Sequence, residues 1–178
     1  SGSPRTNFTV VRVKRDFLRR GMIGAMVTNR TASSLVAGAS NAAYGADAAF
    51  SFFQDLHLGA YYARSETNGV SRDNDSYLAR AAYDGDRYGA QAQYLKVGDN
   101  FAPEVGFVRR DDMRRTFGLL RFSPRPRVRF SGIRQFTYQA SVEHIGNGAG
   151  QLESRTQSGR FALERQNSDT LAVEAGRS

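Results

Sequence analysis

The chain has 178 residues, with Lys plus Arg at 25 and Asp plus Glu at 17, a formal charge of +8; Lys14 and Lys96 are its only lysines, so the cationic side is almost all arginine. It has no Cys, which excludes a disulfide framework, thiolate metal sites and cysteine nucleophiles. No apolar run is long enough for a membrane-spanning helix: the nearest stretch, 35–53, carries Asn41 and Asp47.

From the N-terminus, residues 1–7 show no basic segment followed by an apolar one, so no secretory signal is read there. Residues 8–17 and 22–30 read as strands rich in Val and Met. Over 44–52, Tyr44, Ala46, Ala48, Phe50 and Phe52 alternate with Gly45, Asp47, Ala49 and Ser51. Alanine content makes helix the competitor there, over 42–53. Tyr77, Ala79, Ala81 and Tyr83 share one face of the next clear strand, and Tyr88, Ala90, Ala92 and Tyr94 share one face of its successor. Asp84-Gly85 between them is a hairpin signal. Residues 136–144 and 158–166 alternate in the same way, and Leu171 and Val173 continue the pattern. The period of two predicts an all-β, antiparallel, up-and-down meander of about ten strands, most of them long for a soluble sheet.

The connections carry more information. Residues 18–21, 53–55, 85–87 and 123–127 are short; 31–41, 66–75 and 98–112 are long; 146–150 breaks the alternation. Successive connections of a meander lie at opposite ends of the sheet, so short turns gather at one end and long loops at the other. Long strands with one polar face and this asymmetry are the pattern of an outer-membrane β-barrel, in which closure leaves no unpaired backbone in lipid. Alternation alone does not say which face is enclosed. A soluble barrel or sandwich binding sugars or anions, with Tyr, Phe and Ala inside, is the alternative. Strand length, loop asymmetry and tyrosines at the ends of the apolar face favour the membrane arrangement. There the Tyr/Ala face points outward and the Arg/Gln face is enclosed.

Two stretches carry a resemblance. The first is Thr6-Asn-Phe-Thr-Val-Val-Arg-Val-Lys-Arg-Asp16, followed by Ile23-Gly24 and Thr28-Asn29-Arg30. The second is Gly98-Asp-Asn-Phe-Ala-Pro-Glu-Val-Gly-Phe-Val-Arg-Arg-Asp-Asp112. Together they resemble a bacterial domain-of-unknown-function family. Its members are outer-membrane β-barrels, usually placed after a domain like the family-nine carbohydrate-binding modules. The resemblance covers residues 7–122 and fades over 123–178. It implies an outer-membrane location, an antiparallel barrel and no assigned activity. No part of this chain matches the carbohydrate-binding-like domain. The chain is read as one barrel domain over 1–178, a fragment of a larger barrel that begins mid-barrel and ends without a terminal aromatic strand.

No catalytic constellation, cofactor motif or metal-ligand spacing stands out. His57 and His144 sit on different strands, Asp73-Asn74-Asp75 lacks the rest of a calcium loop, and Gly146-x-Gly148-x-Gly150 reads as a hairpin turn. Loop 98–112 is the candidate binding segment, through Asp99, Phe101, Glu104, Phe107, Arg109, Arg110, Asp111 and Asp112, because loops this long are usually functional or self-packed. It either caps the lumen, with Arg109 and Arg110 pairing carboxylates there, or packs on itself around Phe101 and Phe107. Arg80, Gln91, Gln93, Arg160 and Glu164 are the lumen-facing candidates, and arginines there would favour anionic solutes. Basic turns such as Arg19-Arg20 and 125–127 would meet lipid head groups. The arginines are too scattered for a nucleic-acid stripe, so nucleic acid is not expected as a partner. The expected partners are outer-membrane lipid and an anionic or carbohydrate solute, the expected role non-catalytic passage or uptake.

Overall fold

The computed structural model describes residues 6–17, 19–33, 39–69, 72–105, 110–126 and 132–178. Ten strands form a single sheet: β1 (Phe8–Phe17), β2 (Gly21–Arg30), β3 (Asn41–Phe52), β4 (Leu56–Thr67), β5 (Asp75–Asp84), β6 (Tyr88–Val97), β7 (Met113–Phe122), β8 (Ile133–Gly146), β9 (Leu152–Arg165) and β10 (Thr170–Arg177). Their order in the sheet is their order in the chain, and all nine pairings are antiparallel. The expected meander of long strands is the observed architecture. Among the described residues, β1 and β10 each have one neighbour, so the sheet is open.

The stretch with helical composition, 42–53, lies almost wholly in β3. Helix would scatter Tyr44, Phe50 and Phe52 around a cylinder. Strand places them on one face, with the next strands supplying partners of the same character: Ala48 opposite Ala60, and Phe50 opposite Leu58. The Asp84-Gly85 hairpin closes β5 on β6 with Asp84 opposite Gly89. That register staggers the two Tyr-x-Ala-x-Ala-x-Tyr runs. Tyr83 faces Ala90 and Tyr77 faces Lys96, while the Tyr77 and Tyr94 rings stack diagonally at 5.9 Å.

The short connections 18–20, 53–55, 85–87 and 166–169 lie at one end, and 31–40, 68–74, 98–112 and 147–151 at the other. One connection departs from expectation. The turn read at 123–127 extends to residue 132, because β8 starts at Ile133. Pro124 and Pro126 cannot donate to a ladder. The Phe136 N–H instead bonds the Pro124 carbonyl at 3.1 Å, and the register slips between Ile133 and Gln135.

Following the registers, Tyr, Phe, Ala and Val side chains gather on one face, which also carries Arg15, Arg64, Lys96, Arg114 and Arg155, and Arg, Gln, Ser and Thr side chains gather on the other, which also carries Phe8, Val10, Tyr61, Leu78, Leu95, Phe117 and Leu119. The sheet curls around the polar face. On β8, Thr137, Gln139, Ser141 and Glu143 are half-buried, whereas Tyr138, Ala140, Val142 and His144 between them are exposed. The same bias runs through β3 to β7. Large residues stand out on the convex side, with Leu120 at 68% and Tyr88 at 55% relative exposure. By contrast, among the described residues the buried hydrophobic ones are Ala39, Ala43 and Val97, while Asn41, Ser65, Ser76 and Ser123 are buried polar ones. The chain thus places its apolar surface outside and its polar groups inside, the reverse of a water-soluble sheet.

Aromatic rings border the convex face at both ends. Tyr44, Tyr62, Tyr77 and Tyr94 lie towards the long loops. Towards the short turns, Phe17, Phe50 and Phe52 form one cluster, and Tyr88, Phe122, Tyr138 and Phe161 form a ladder with centroids 5.3, 6.4 and 5.2 Å apart.

Candidate functional site: the inward-folded loop and the polar face

The loop between β6 and β7 leaves Val97 through Gly98, whose N–H bonds the Asp75 carbonyl at 2.9 Å. A Cβ at Gly98 would fall on the Asp73 carbonyl, so only glycine fits this close approach. Asn100 N then bonds Asp73 O at 3.0 Å, and Asn100 Nδ2 donates to Arg72 O at 2.9 Å. From there the loop runs back across the concave side to β4, β3 and β2. Reaching β3 means crossing three strand spacings, about 14 Å.

Three polar residues of the sheet receive it. Asn41, with no exposed surface, donates from Nδ2 to Thr67 Oγ1 at 2.8 Å and to Ala102 O at 2.9 Å; its Oδ1 accepts from Glu104 N at 3.2 Å. Ser65 Oγ accepts from Ala102 N at 3.0 Å. Arg30 Nη1 meets Glu104 Oε2 at 3.0 Å, and the Glu104 side chain is only 4% exposed. Ser33 Oγ also donates to Glu104. Asn41, Ser65, Thr67 and Arg30 all belong to the polar face, so residues 100–104 lie inside the curve of the sheet.

Residues 110–112 stay at the rim. Arg110 pairs with Glu153 near the start of β9. Asp112 Oδ1 accepts from Gly148 N at 2.7 Å, which ties the loop to the β8–β9 turn. Asp99 and Asp112 join Asp73, Lys96 and Arg114 around a small polar cavity of about 360 Å³. Lys96 Nζ lies 3.1 Å from Asp75 and 3.6 Å from Asp73. Phe101 is half-buried, and Asp111 is exposed. Phe107 and Arg109 lie outside the described residues. The candidate loop is therefore two sites: Phe101 and Glu104 turn inward, while Asp99, Arg110 and Asp112 form the rim.

Arg80, Gln91, Gln93, Arg160 and Glu164 all lie on the concave polar face. Arg80 is opposite Gln93, Gln139 is opposite Arg160, and Glu164 is held by Arg134 at 2.9 Å. Three other cations of this face are paired, Arg12 with Asp47 at 3.0 Å, Arg121 with Asp84 at 2.7 Å, and Arg115 with Glu143, whereas Lys14 forms no ion pair among the described residues. Arg80 and Arg160 form no ion pair among the described residues. Between them runs a patch that sequence reading missed: Leu78 opposite Leu95, with Phe117 and Leu119 beside Gln93 and Gln91. Arg115 lies over the Phe117 ring, 5.6 Å from its centroid. The wall combines guanidinium groups, amides and an aromatic face, groups that bind carboxylates, phosphates and sugar hydroxyls with an apolar sugar face. His57 Nδ1 is 2.9 Å from Ser51 Oγ on the same face, and His144 is on the convex side.

Asn41, Ser65 and Arg30 were also missed. Their only signal is polarity at positions where β2, β3 and β4 meet the long-loop end. No family model, curated protein or solved structure matches the chain.

Proposed function

We propose that the chain forms wall strands of a bacterial outer-membrane β-barrel. Its polar concave face lines a passage for a small anionic or carbohydrate solute, and residues 100–104 narrow that passage at the long-loop end. The role is passage or binding rather than catalysis. One observation carries the reading: the sheet curls around its polar face and leaves its apolar face, bordered by aromatic rings at both ends, exposed. In water that face would cost about 25 cal/mol per Å² of apolar surface. Against hydrocarbon the cost vanishes, and the rings fall where Tyr and Phe sit at membrane interfaces. The resemblance of residues 7–122 points the same way. Arg80, which has no acid in its register positions, and Arg160, which faces Glu174 without forming an ion pair among the described residues, make the wall attractive to anions.

The test is to refold the chain in detergent and lipid vesicles. Expected are heat-dependent electrophoretic mobility and protection of the strands from added protease, with anion-selective conductance in planar bilayers once β1 and β10 are paired into a closed wall. A folded, monodisperse species in plain buffer, with no insertion, would overturn the reading in favour of a soluble sugar- or anion-binding module.

A further inference from the structure

The convex face is not uniform. Over β5 to β10 it is indented by a groove of about 710 Å³, walled by Tyr88, Phe122, Tyr138 and Phe161. Along it runs one register row, Ala90, Leu120, Ala140, Gly159 and Ala175, whose small side chains from Ala140 onward form the floor while Leu120 stands up beside them. From Tyr83 on β5 to Ala175 on β10 the lining spans five strand spacings, about 24 Å. The groove is therefore long, shallow and apolar.

A charge stands at its turn-side end. Arg87 lies over two of the groove-wall rings, 5.6 Å from the Tyr88 centroid and 5.4 Å from that of Phe122. The two acids flanking this turn are already taken, Asp84 by Arg121 and Asp86 by Arg125. Among the described residues Arg87 forms no ion pair, so its guanidinium is free to meet an anion at the level of the aromatic belt.

Resting on the membrane reading above, we infer that this groove is a specific site for one phospholipid with an anionic headgroup. Its acyl chain lies along the Ala90–Ala175 row and its phosphate lies on Arg87. The fit is one of shape and charge together: a shallow apolar trough beside a cation that forms no ion pair among the described residues.

The chain has no tryptophan, so single reporters can be placed: Phe161→Trp in the groove wall, where a ring already stands, and Leu58→Trp on β4, on the same face outside it. Each full-length variant is refolded into vesicles containing phosphatidylglycerol or phosphatidylcholine with brominated acyl chains. At the groove, quenching by the anionic lipid should exceed its share of the bilayer, with a preference of about fivefold over phosphatidylcholine. At Leu58→Trp the preference should be near one. Adding Arg87→Gln should remove the preference at the groove, and adding Gly159→Leu, which fills the floor, should lower quenching there by either lipid. Equal quenching of both reporters by both lipids, unchanged by Arg87→Gln, would overturn the site while leaving the membrane reading intact. Shielding of the groove reporter from both lipids, together with a cross-linked dimer, would put a second copy there and overturn it too. Quenching of neither reporter would mean no insertion, and both readings would fall.

Discussion

Replacing Asn41 by leucine tests how the β6–β7 loop is held. The branched four-atom shape is kept, with two methyl groups where both polar atoms stood. Two of the Asn41 hydrogen bonds join sheet to loop, to Ala102 O at 2.9 Å and from Glu104 N at 3.2 Å. Each is worth about 1 kcal/mol net, and each leaves a half-buried backbone group without its partner, at about another 1 kcal/mol when water cannot reach it. Asn41→Leu should therefore weaken docking of residues 100–104 by about 2–4 kcal/mol, roughly 30- to 700-fold in the opening equilibrium. Native-state hydrogen exchange reads this directly. The Ala102 amide, bonded to Ser65 Oγ at 3.0 Å, should accelerate by that factor. Amides paired between β5 and β6 should keep their rates. Exchange at Ala102 unchanged in the variant would refute the latch. Equal acceleration throughout the sheet would show that Asn41 supports the whole fold rather than the loop.

Leu58→Arg and Gln91→Arg add the same charge to opposite faces. In lipid vesicles the first should cost about 2–4 kcal/mol in urea unfolding and the second under about 1 kcal/mol; equal costs would contradict the assignment of faces. Gly98→Ala should destabilise the fold by more than about 1 kcal/mol and release the start of the loop, read as lower thermal stability, because its Cβ meets backbone that cannot swing away. Glu104→Gln should loosen the loop by about 2 kcal/mol, less than for a fully buried pair because the Arg30 side chain keeps 23% of its exposure. Arg110→Ala should change stability by no more than about 1 kcal/mol, since the side chains of its pair with Glu153 are 48% and 34% exposed. In planar bilayers, Arg80→Glu with Arg160→Glu should turn anion preference into cation preference, and unaltered selectivity would remove these residues from the conducting wall.

The strands were legible because they depend on local alternation. Tyr77 to Tyr83, Asp84-Gly85 and Tyr88 to Tyr94 define β5, its turn and β6 without outside help, and even alanine-rich β3 follows its period rather than its composition. The faces of Arg80, Gln91, Gln93, Arg160 and Glu164 follow from the same counting. Curvature was not legible: alternation separates two faces without saying which is concave, and that depends on how ten strands coil together. The loop's path was not legible either. Its inward half is fixed by Asn41 and Ser65, 61 and 37 residues before Ala102 in the chain. Neither looks different from any polar residue near a strand end. The late start of β8 escaped because Pro124 and Pro126 mark where pairing stops but not where it resumes.

The two outer strands set terms for anything that lies beside them. The free side of β1 presents the backbone of Phe8–Phe17, with Val11, Val13, Arg15 and Phe17 on the convex face and Phe8, Val10, Arg12, Lys14 and Asp16 on the other. A strand that adds there must match this alternation in phase, apolar beside Val13 and hydrophilic beside Lys14, since a slip of one residue would put charges among the valines. The free side of β10 asks the same of a neighbour next to Leu171 and Val173. Lysine and arginine along β1 discourage casual edge-to-edge association in water. The rims thus act as a filter for sequence phase, admitting only a ribbon whose two-residue rhythm agrees with their own.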